Sequence, residues 1–427
     1  MKLTIGVLAH VDAGKTTFSE QVLYQTGTIR AAGRVDHRDT FLDTDSVERR
    51  HGITVFSGLA RITWKDMVFQ WLDTPGHMDF SPEMERSVSV MDAAILIVSA
   101  VSGIQSHTET LWHILEHYHC PVFVFINKTD LEGADDAGVI RQLQTRFSAD
   151  ILDFRSYQQD GALDSVLLEE IASRDEELLS RFLEDDIDQR VWLSKLQSMV
   201  AQRKCFPVFS GSALKGEGIL PLLDAITALC PDKYAAEDGM PSGRVFRVRH
   251  DAQGNRLCFL KLTAGTLHVR DELTIAGQPF KINELRLYHG EKYRTTDFAS
   301  AGDIVAIPGM DGVRPGDCFG TSQPVAFRTE PMLSVELLWD CSTIPFYRMA
   351  QTMAQLQEEE PTLGVVEQGE QILLHIMGGI QLDILKELLM DRYGFAVSFG
   401  PQQVLYKETI AEPSIGIGHY EPLRHYA

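Results

Sequence analysis

Unbroken apolar runs alternate with amphipathic stretches through the first half of the chain. Leu3–Leu8, Val68–Leu72, Ala93–Ser99 (AAILIVS), Val122–Ile126 (VFVFI) and Pro207–Ser210 read as strands, and Lys15–Tyr24 as the start of a helix. Ser81-Pro82 marks another helix start, with Ser as N-cap and Pro in the first turn. Continuous apolar strands between amphipathic helices predict a parallel sheet covered on both faces, an α/β domain over residues 1–232. Between Asp130 and Phe206 the pattern loosens into acidic helical stretches. The run Asp175–Asp188 is expected to be a solvated helix face, since like charges usually face water.

After Pro231 the texture changes. Residues 243–320 carry short strands (Arg244–Val248, Leu257–Leu262, Glu272–Ile275, Phe280–Leu287, Ile304–Ile307) broken by glycine-containing turns. That pattern predicts an all-β barrel over 233–328. Residues 331–400 read strand (Ser334–Trp339), helix (Tyr347–Glu359), two strands (the second Gln371–Met377), helix (Gln381–Tyr393) and strand (Ala396–Phe399). This order is the split βαββαβ, ferredoxin-like α+β sandwich, expected over 329–405. Residues 406–427 begin an apolar stretch, Ile415–Ala427, and do not finish it. The expectation there is the start of a further, truncated domain, which makes the chain an N-terminal fragment.

Composition narrows the class. At roughly 150 residues per domain, 427 residues allow about three domains. A hydrophobic share of 44% and a charged share of 23% are ordinary for globular protein. The 39 basic and 60 acidic side chains give a formal charge of −21, which argues against a broad nucleic-acid surface. Any RNA contact has to be local and shape-driven. The cysteines (Cys120, Cys205, Cys230, Cys258, Cys318, Cys341) form no Cys-x-x-Cys pair, as expected of reduced thiols. The apolar start is too short for a signal peptide, and no apolar run approaches a membrane span. The expected location is the cytoplasm, with no membrane partner.

The chemistry sits at strand ends. Ala9-His10-Val11-Asp12-Ala13-Gly14-Lys15-Thr16-Thr17 lies between a strand and a helix, where backbone N–H groups and the helix N-terminus can cradle phosphates. Gly14 lets the backbone approach, Lys15 offers a point charge to the β- and γ-phosphates, and the Thr16 hydroxyl can ligate Mg²⁺. The general pattern asks for Gly where Ala9 stands, so this segment alone leaves a chance match open. Asp73-Thr74-Pro75-Gly76-His77 follows a strand, with Asp73 placed to hold Mg²⁺ through water and the Gly76 N–H to sense the γ-phosphate. Asn127-Lys128-Thr129-Asp130 follows another. A carboxylate there can accept the ring N–H and the exocyclic amine of guanine, donors that adenine lacks in that arrangement. Ser212-Ala213-Leu214 follows a fourth strand, where loop N–H groups can bind guanine O6. Four pieces in this order at strand ends predict a GTP site.

With these residues in place, the N-terminal two-fifths resembles the G domain of translational GTPases, in the subset with Asp-Ala-Gly-Lys in the phosphate loop and His after Asp-Thr-Pro-Gly. The expected fold class is therefore an α/β P-loop GTPase domain followed by the barrel and the ferredoxin-like domain, and the resemblance covers nearly the whole chain. In those factors a switch segment, here Arg50-His51-Gly52-Ile53-Thr54-Val55, brings Thr54 to Mg²⁺ and the γ-phosphate; His51 stands where the family usually has Arg. The chain looks like elongation factor G and more like the tetracycline-resistance ribosomal protection proteins, which favour a short insert between Asn-Lys-x-Asp and Ser-Ala and match Pro-Gly-His-Met-Asp-Phe (75–80). The resemblance implies GTP/GDP and Mg²⁺ as cofactors, with Lys15, the Mg²⁺ on Thr16 and Thr54, and the loop amides taking up developing charge. No arginine finger is evident in cis. It implies that Asp12 helps hold a monovalent cation such as K⁺, against the alternative of a loop-stabilising side chain. It implies that His77 positions the attacking water once the sarcin–ricin loop of ribosomal RNA swings it inward. The implied partners are the ribosome's RNA and proteins, and the expected state is a monomer.

Three readings follow: a ribosomal protection factor against tetracycline, an elongation-factor-G-like translocase or paralogue, and a non-catalytic regulatory GTP-binding module. His77 argues against the third. His113 and His117, spaced i, i+4, are expected on an exposed helix face rather than as a zinc pair. Arg244, Phe246, Arg247, Arg249 and Phe259 in the barrel are candidates for ribosomal RNA contact, or else packed strands with solvated arginines.

Overall fold

The computed structural model describes residues 1–406 except 35, 36, 38, 44, 158–162, 231, 232, 235–238 and 252; apart from Tyr406, the expected further domain at 406–427 lies outside the described residues. In chain order the first region runs β1 (Lys2–Ala9), α1 (Lys15–Gln25), α2 (Ser46–His51), β2 (Gly58–Trp64), β3 (Met67–Asp73), α3 (Ser81–Val88), β4 (Ala93–Ser99), α4 (Ser106–His117), β5 (Val122–Asn127), α5 (Asp136–Arg146), β6 (Ile151–Asp153), α6 (Ser165–Ala172), α7 (Glu176–Leu183), α8 (Gln189–Ala201), β7 (Phe206–Ser210) and α9 (Ile219–Leu229). The strands form one sheet in the order β2-β3-β1-β4-β5-β7-β6.

The sheet is not wholly parallel, as the apolar runs suggested. β2 pairs antiparallel with β3, and the two-residue turn between them, with Lys65 at φ 51°, permits nothing else. Its central strands are buried on both faces, which is why their sequence shows no polar alternation. Along β4, Ile95 and Ile97 pack with Phe18, Phe123 and Phe125 on one side, while Leu96 and Val98 pack with Leu111, Trp112 and Val124 on the other.

Two local expectations need correction. Ser81 is the first helical residue of α3, not its cap, because a 3₁₀ turn at Met78–Phe80 runs straight into the helix; the Ser81 hydroxyl donates to Met78 O at 2.7 Å. The acidic side chains of Asp175–Asp188 face solvent as expected, Asp175 partly covered, but they are spread over two helices and the turn between them rather than one helix face. Asp175 caps α7, accepting from Glu177 and Leu178 N–H at 3.1 Å each, and Asp188 caps α8. Carboxylates at helix N-termini meet unpaired N–H groups and the positive dipole end, so their clustering here is local structure.

The second region is a set of antiparallel strands around Val245, Leu260, Ile275 and Val305. The strand expected over Phe280–Leu287 divides into Gln278–Lys281 and Leu285–His289. Between them Ile282 is buried, and its backbone pairs with Arg270 and Asp271 instead. The third region is an antiparallel sheet of Val366–Gln368, Gln371–Ile376, Leu333–Trp339 and Val397–Phe399, with Gln403–Val404 also on Leu333–Trp339. Helices Phe346–Glu359 and Gly379–Tyr393 share its core through Met349, Met353, Leu385 and Leu389.

The barrel arginines do not form a solvated strip. Arg247 is buried over the Phe259 ring and donates to Ser57 O, just past the switch segment. Arg244 donates to Ser89 O at 2.7 Å. Phe246 and Phe259 pack with Leu59, Leu72 and Val90 of the first region. These side chains seal the seam between the first two regions. His113 and His117 are exposed on α4.

Candidate functional site

The four motifs sit where β1, β3, β5 and β7 end, on the carboxyl edge of the sheet, and three of them are knitted together. Gly14 caps α1 at φ +90°, and a Cβ there would lie 2.4 Å from Asn127 Nδ2. That close approach lets Asn127 Nδ2 donate to Ala13 O at 2.8 Å, while Asn127 Oδ1 accepts from Ala213 N–H at 2.8 Å. One side chain thus ties the phosphate loop to the Ser212-Ala213-Leu214 loop. Ala213 N–H, expected to face a base, is already committed to this tie.

A cavity of about 370 Å³ opens between the loops, lined by His10, Val11, Asp12, Gly14, Lys15, Thr16, Thr17, Thr54, Gly76, His77 and Lys128 among others. At its floor Lys15 Nζ donates to Asp73 Oδ2 and, at 3.1 Å, to Thr54 Oγ1. Ser19 Oγ holds the other Asp73 oxygen at 2.7 Å. Burial pushes the Asp73 carboxyl above its ordinary range, and the Lys15 ammonium opposes that. Thr54 Oγ1 donates to Asp43 Oδ1 at 3.0 Å and lies 3.4 Å from Thr16 Oγ1. Thr16, Thr54 and Asp73 are therefore brought together around the Lys15 head group. Two hydroxyls and a buried carboxylate are hard oxygen donors of the kind Mg²⁺ takes alongside phosphate oxygens and water. Among the described residues no three His, Cys, Asp or Glu gather into a separate metal cluster.

Past the end of β5 Asp130 lies near Ser212, whose hydroxyl holds the Asp130 carboxyl below its ordinary value. Lys128 sits at φ 66° between them and the phosphate loop. Leu214 is exposed beside this end, and Asp12, also exposed, sits at φ 61° on the loop's bend. Gly76 faces Ala9 O, where a Cβ would stand at 3.4 Å. His77 is partly exposed at the cavity edge; its Nδ1 accepts the Asp79 N–H at 3.2 Å.

Several functional neighbours were not read from the sequence. Glu48 carries a capping box with Asp45 on α2, a pattern that Asp45-Ser46-Val47-Glu48 does display. Its Oε1 also accepts Val55 and Phe56 N–H at 3.0 and 2.9 Å, fixing the backbone directly after Thr54. Burial, with Asp43 nearby, raises the Glu48 carboxyl to about 7. His107 lies behind the phosphate loop, its ring 6.2 Å from that of His10, with neither nitrogen hydrogen-bonded. Burial, then His10 and His77, lowers it to about 4, so it is neutral at pH 7. Ser19, Asp43 and His107 carry no local sequence signal.

Comparison with known proteins agrees with this geometry. The elongation factor Tu GTP binding domain family matches residues 2–232, and elongation factor G domain 2 matches residues 240–322. The chain is 34% identical to the tetracycline resistance protein TetW of Butyrivibrio fibrisolvens, across 95% of its own length and 66% of that protein's. It is 28% identical to elongation factor G 1 of Treponema denticola, across 95% of its length and 69% of that protein's. A solved structure from Thermus thermophilus superposes with a TM-score of 0.84 at 26% identity, covering 94% of this chain and 67% of that one. The chain thus spans just under two thirds of the TetW relative. It belongs to the family defined by the elongation factor Tu GTP binding domain, among the translational GTPases of the elongation factor G type.

Proposed function

We propose that the protein binds and hydrolyses GTP while acting on the ribosome, and that its role there is protection against tetracycline. The convergence of Lys15, Thr16, Thr54 and Asp73 beside the cavity, with Asn127 tying the phosphate loop to the Ser212–Leu214 loop, carries this reading. Asp130 would read the guanine edge, with the Ser212–Leu214 loop beside it. Lys15 and the N–H groups of residues 9–17 would bind the β- and γ-phosphates. Thr16 and Thr54 would hold Mg²⁺ directly and Asp73 through water; when bound, the ion neutralises phosphate charge. Asp12 would line a site for K⁺. Gly76 N–H would contact the γ-phosphate, and His77 would orient the attacking water when ribosomal RNA engages it.

Identity of 34% to a tetracycline resistance protein and 30% to the oxytetracycline resistance protein of Streptomyces rimosus, against 28% to an elongation factor G, favours protection over translocation. We place the protein in the cytoplasm as a monomer; among the described residues no helix is long and apolar enough to cross a membrane. The test is cell-free translation with tetracycline, using the protein as its gene encodes it, with GTP turnover followed in parallel. Restored peptide synthesis with ribosome-stimulated turnover is expected. Stimulated turnover without rescue moves the assignment to a translocase or paralogue. Binding of GTP with no turnover moves it to a regulatory module.

A further inference from the structure

We infer that Asp79 is a positioning residue for His77, and that it takes its own position from the third region of the chain. The inference rests on the reading of His77 given above. Residues Met78–Phe80 form a single 3₁₀ turn capped by His77, whose Nδ1 accepts the Asp79 N–H at 3.2 Å. The orientation of that ring is therefore set in part by the backbone of Asp79. The Asp79 carboxylate lies between the ring and the seam: its Oδ1 stands 3.5 Å from His77 Nδ1, and its other oxygen reaches across. Its Oδ2 accepts from Ile380 N–H at 2.9 Å and Gln381 N–H at 3.2 Å, the first turn of helix Gly379–Tyr393.

That helix has no cap of its own. Its N-cap residue is Gly378, extended at φ −173°, with no side chain to accept the orphan N–H groups. A Cβ at 378 would lie 2.3 Å from Asp79 Oδ1, so the missing side chain is what admits the carboxylate. A residue 301 positions away in sequence supplies the acceptor that a local Ser, Thr, Asn or Asp would otherwise provide. The bonds are charge-assisted and meet the positive end of the helix dipole, which makes them stronger than neutral ones.

The far half of the same helix is tied to the segment that carries Thr54. Arg50 pairs with Asp391 at 2.6 Å and with Glu387 at 2.8 Å, and His51 Nε2 lies 2.7 Å from Glu387 Oε1. Val47, Val55 and Phe80 pack with Ile384 and Leu388 between these two anchorages. A rotation of the third region that lifts the helix N-terminus would draw on Asp79 through two bonds. Because the carboxylate and the N–H that holds the imidazole belong to the same residue, in a 3₁₀ turn closed by Phe80 N–H on His77 O, the displacement reaches that N–H. Asp79 so converts the docking of a distant helix into the attitude of the His77 ring.

The experiment approaches Asp79 from the far side. Gly378→Ala adds one methyl group in the third region, changes no residue of the nucleotide site, and imposes no left-handed strain. In the 427-residue chain, His77 ring resonances are followed by NMR, with GTP affinity and single-turnover hydrolysis in the presence of ribosomes measured beside them. The expected result is a displaced His77 signal and turnover slowed about tenfold, with GTP affinity within about twofold, since orientation is lost and ground-state binding is not. In an Asp79→Gly background the added methyl should have no further effect, because the collision partner is gone. Asp79→Asn, which keeps an acceptor, should retain most of the wild-type signal and rate. An unmoved His77 signal in both Gly378→Ala and Asp79→Gly overturns the inference. A moved signal with unchanged turnover, and equally unchanged turnover in His77→Ala, upholds the positioning link while removing His77 from catalysis.

Discussion

The two halves of the proposed nucleotide site are built differently. At the phosphate end, Lys15, Asp73, Ser19, Thr54, Asp43 and Thr40 already satisfy one another in a buried chain of hydrogen bonds. At the base end Asp130 stands partly covered at the rim, with Ser212 beside it and Lys215 no nearer than 4.0 Å. A ligand arriving at the first end must trade places with protein groups; at the second it adds bonds to a prepared edge. The phosphate-end side chains are therefore part of the fold's stability, whereas at the proposed base end Asn127 does the tying and the Asp130 carboxylate makes no such buried chain.

The largest effect should come from Lys15→Ala, because it breaks both roles at once. Removing the ammonium leaves the buried Asp73 carboxylate without its charge partner, an uncompensated loss of about 3 kcal/mol. The protein without nucleotide should melt several degrees lower, and GTP affinity should fall about a thousandfold or more. Calorimetry and nucleotide titration check the two halves separately. An unchanged melting temperature would mean that the Lys15–Asp73 contact contributes nothing to the fold.

Asp130→Asn sharpens the contrast. The amide reverses one hydrogen-bond direction at the guanine edge, so GTP affinity should drop about a hundredfold while xanthosine triphosphate gains. Melting without nucleotide should stay within about 1 °C, since the amide oxygen can keep the bond that the carboxylate accepts from the Ser212 hydroxyl. Equal GTP affinity in mutant and wild type would take Asp130 out of the base site. A melting shift as large as that of Lys15→Ala would erase the distinction between the two ends.

The same contrast explains what could be read from the sequence. The place of the phosphate-loop and base-loop motifs was legible because each is contiguous and sits at the end of an apolar strand. Ser19 and Asp43 were not, because each acts on a partner brought near by folding: Ser19 on Asp73, and Asp43 on Thr54. The barrel arginines failed for a related reason. Arg247 looks like any strand arginine until the neighbouring region covers it and Ser57 O meets its guanidinium. Ile282 reads as one more position of an alternating strand, and only its pairing with Arg270 and Asp271 shows that the chain turns there. The βαββαβ order of the third region was legible element by element, since its cores repeat at clear helical and strand periods.

The smallest expected effect tests whether the stabilising network extends beyond the Lys15 floor into the switch segment. Glu48 is buried, holds the N–H groups of Val55 and Phe56, and has its carboxyl raised from 4.5 to about 7. Between those two values the folded protein holds a proton on Glu48 that the unfolded chain releases. Its contribution to stability should then fall as pH rises from about 4.5 to about 7, and stay level above that. Glu48→Gln keeps an oxygen for the two N–H groups and cannot ionise, so the variant should lack this slope. Other buried groups titrate in the same range, and the difference between wild type and variant isolates this one. The expected difference across the window is on the order of 2 kcal/mol, with the variant losing less stability toward neutral pH. Parallel curves for the two proteins would place Glu48 in water rather than under the switch segment. Curves that separate as pH rises through the window, with Thr54-dependent GTP binding following the same pH course, would join the switch to the phosphate-end network as one titrating unit.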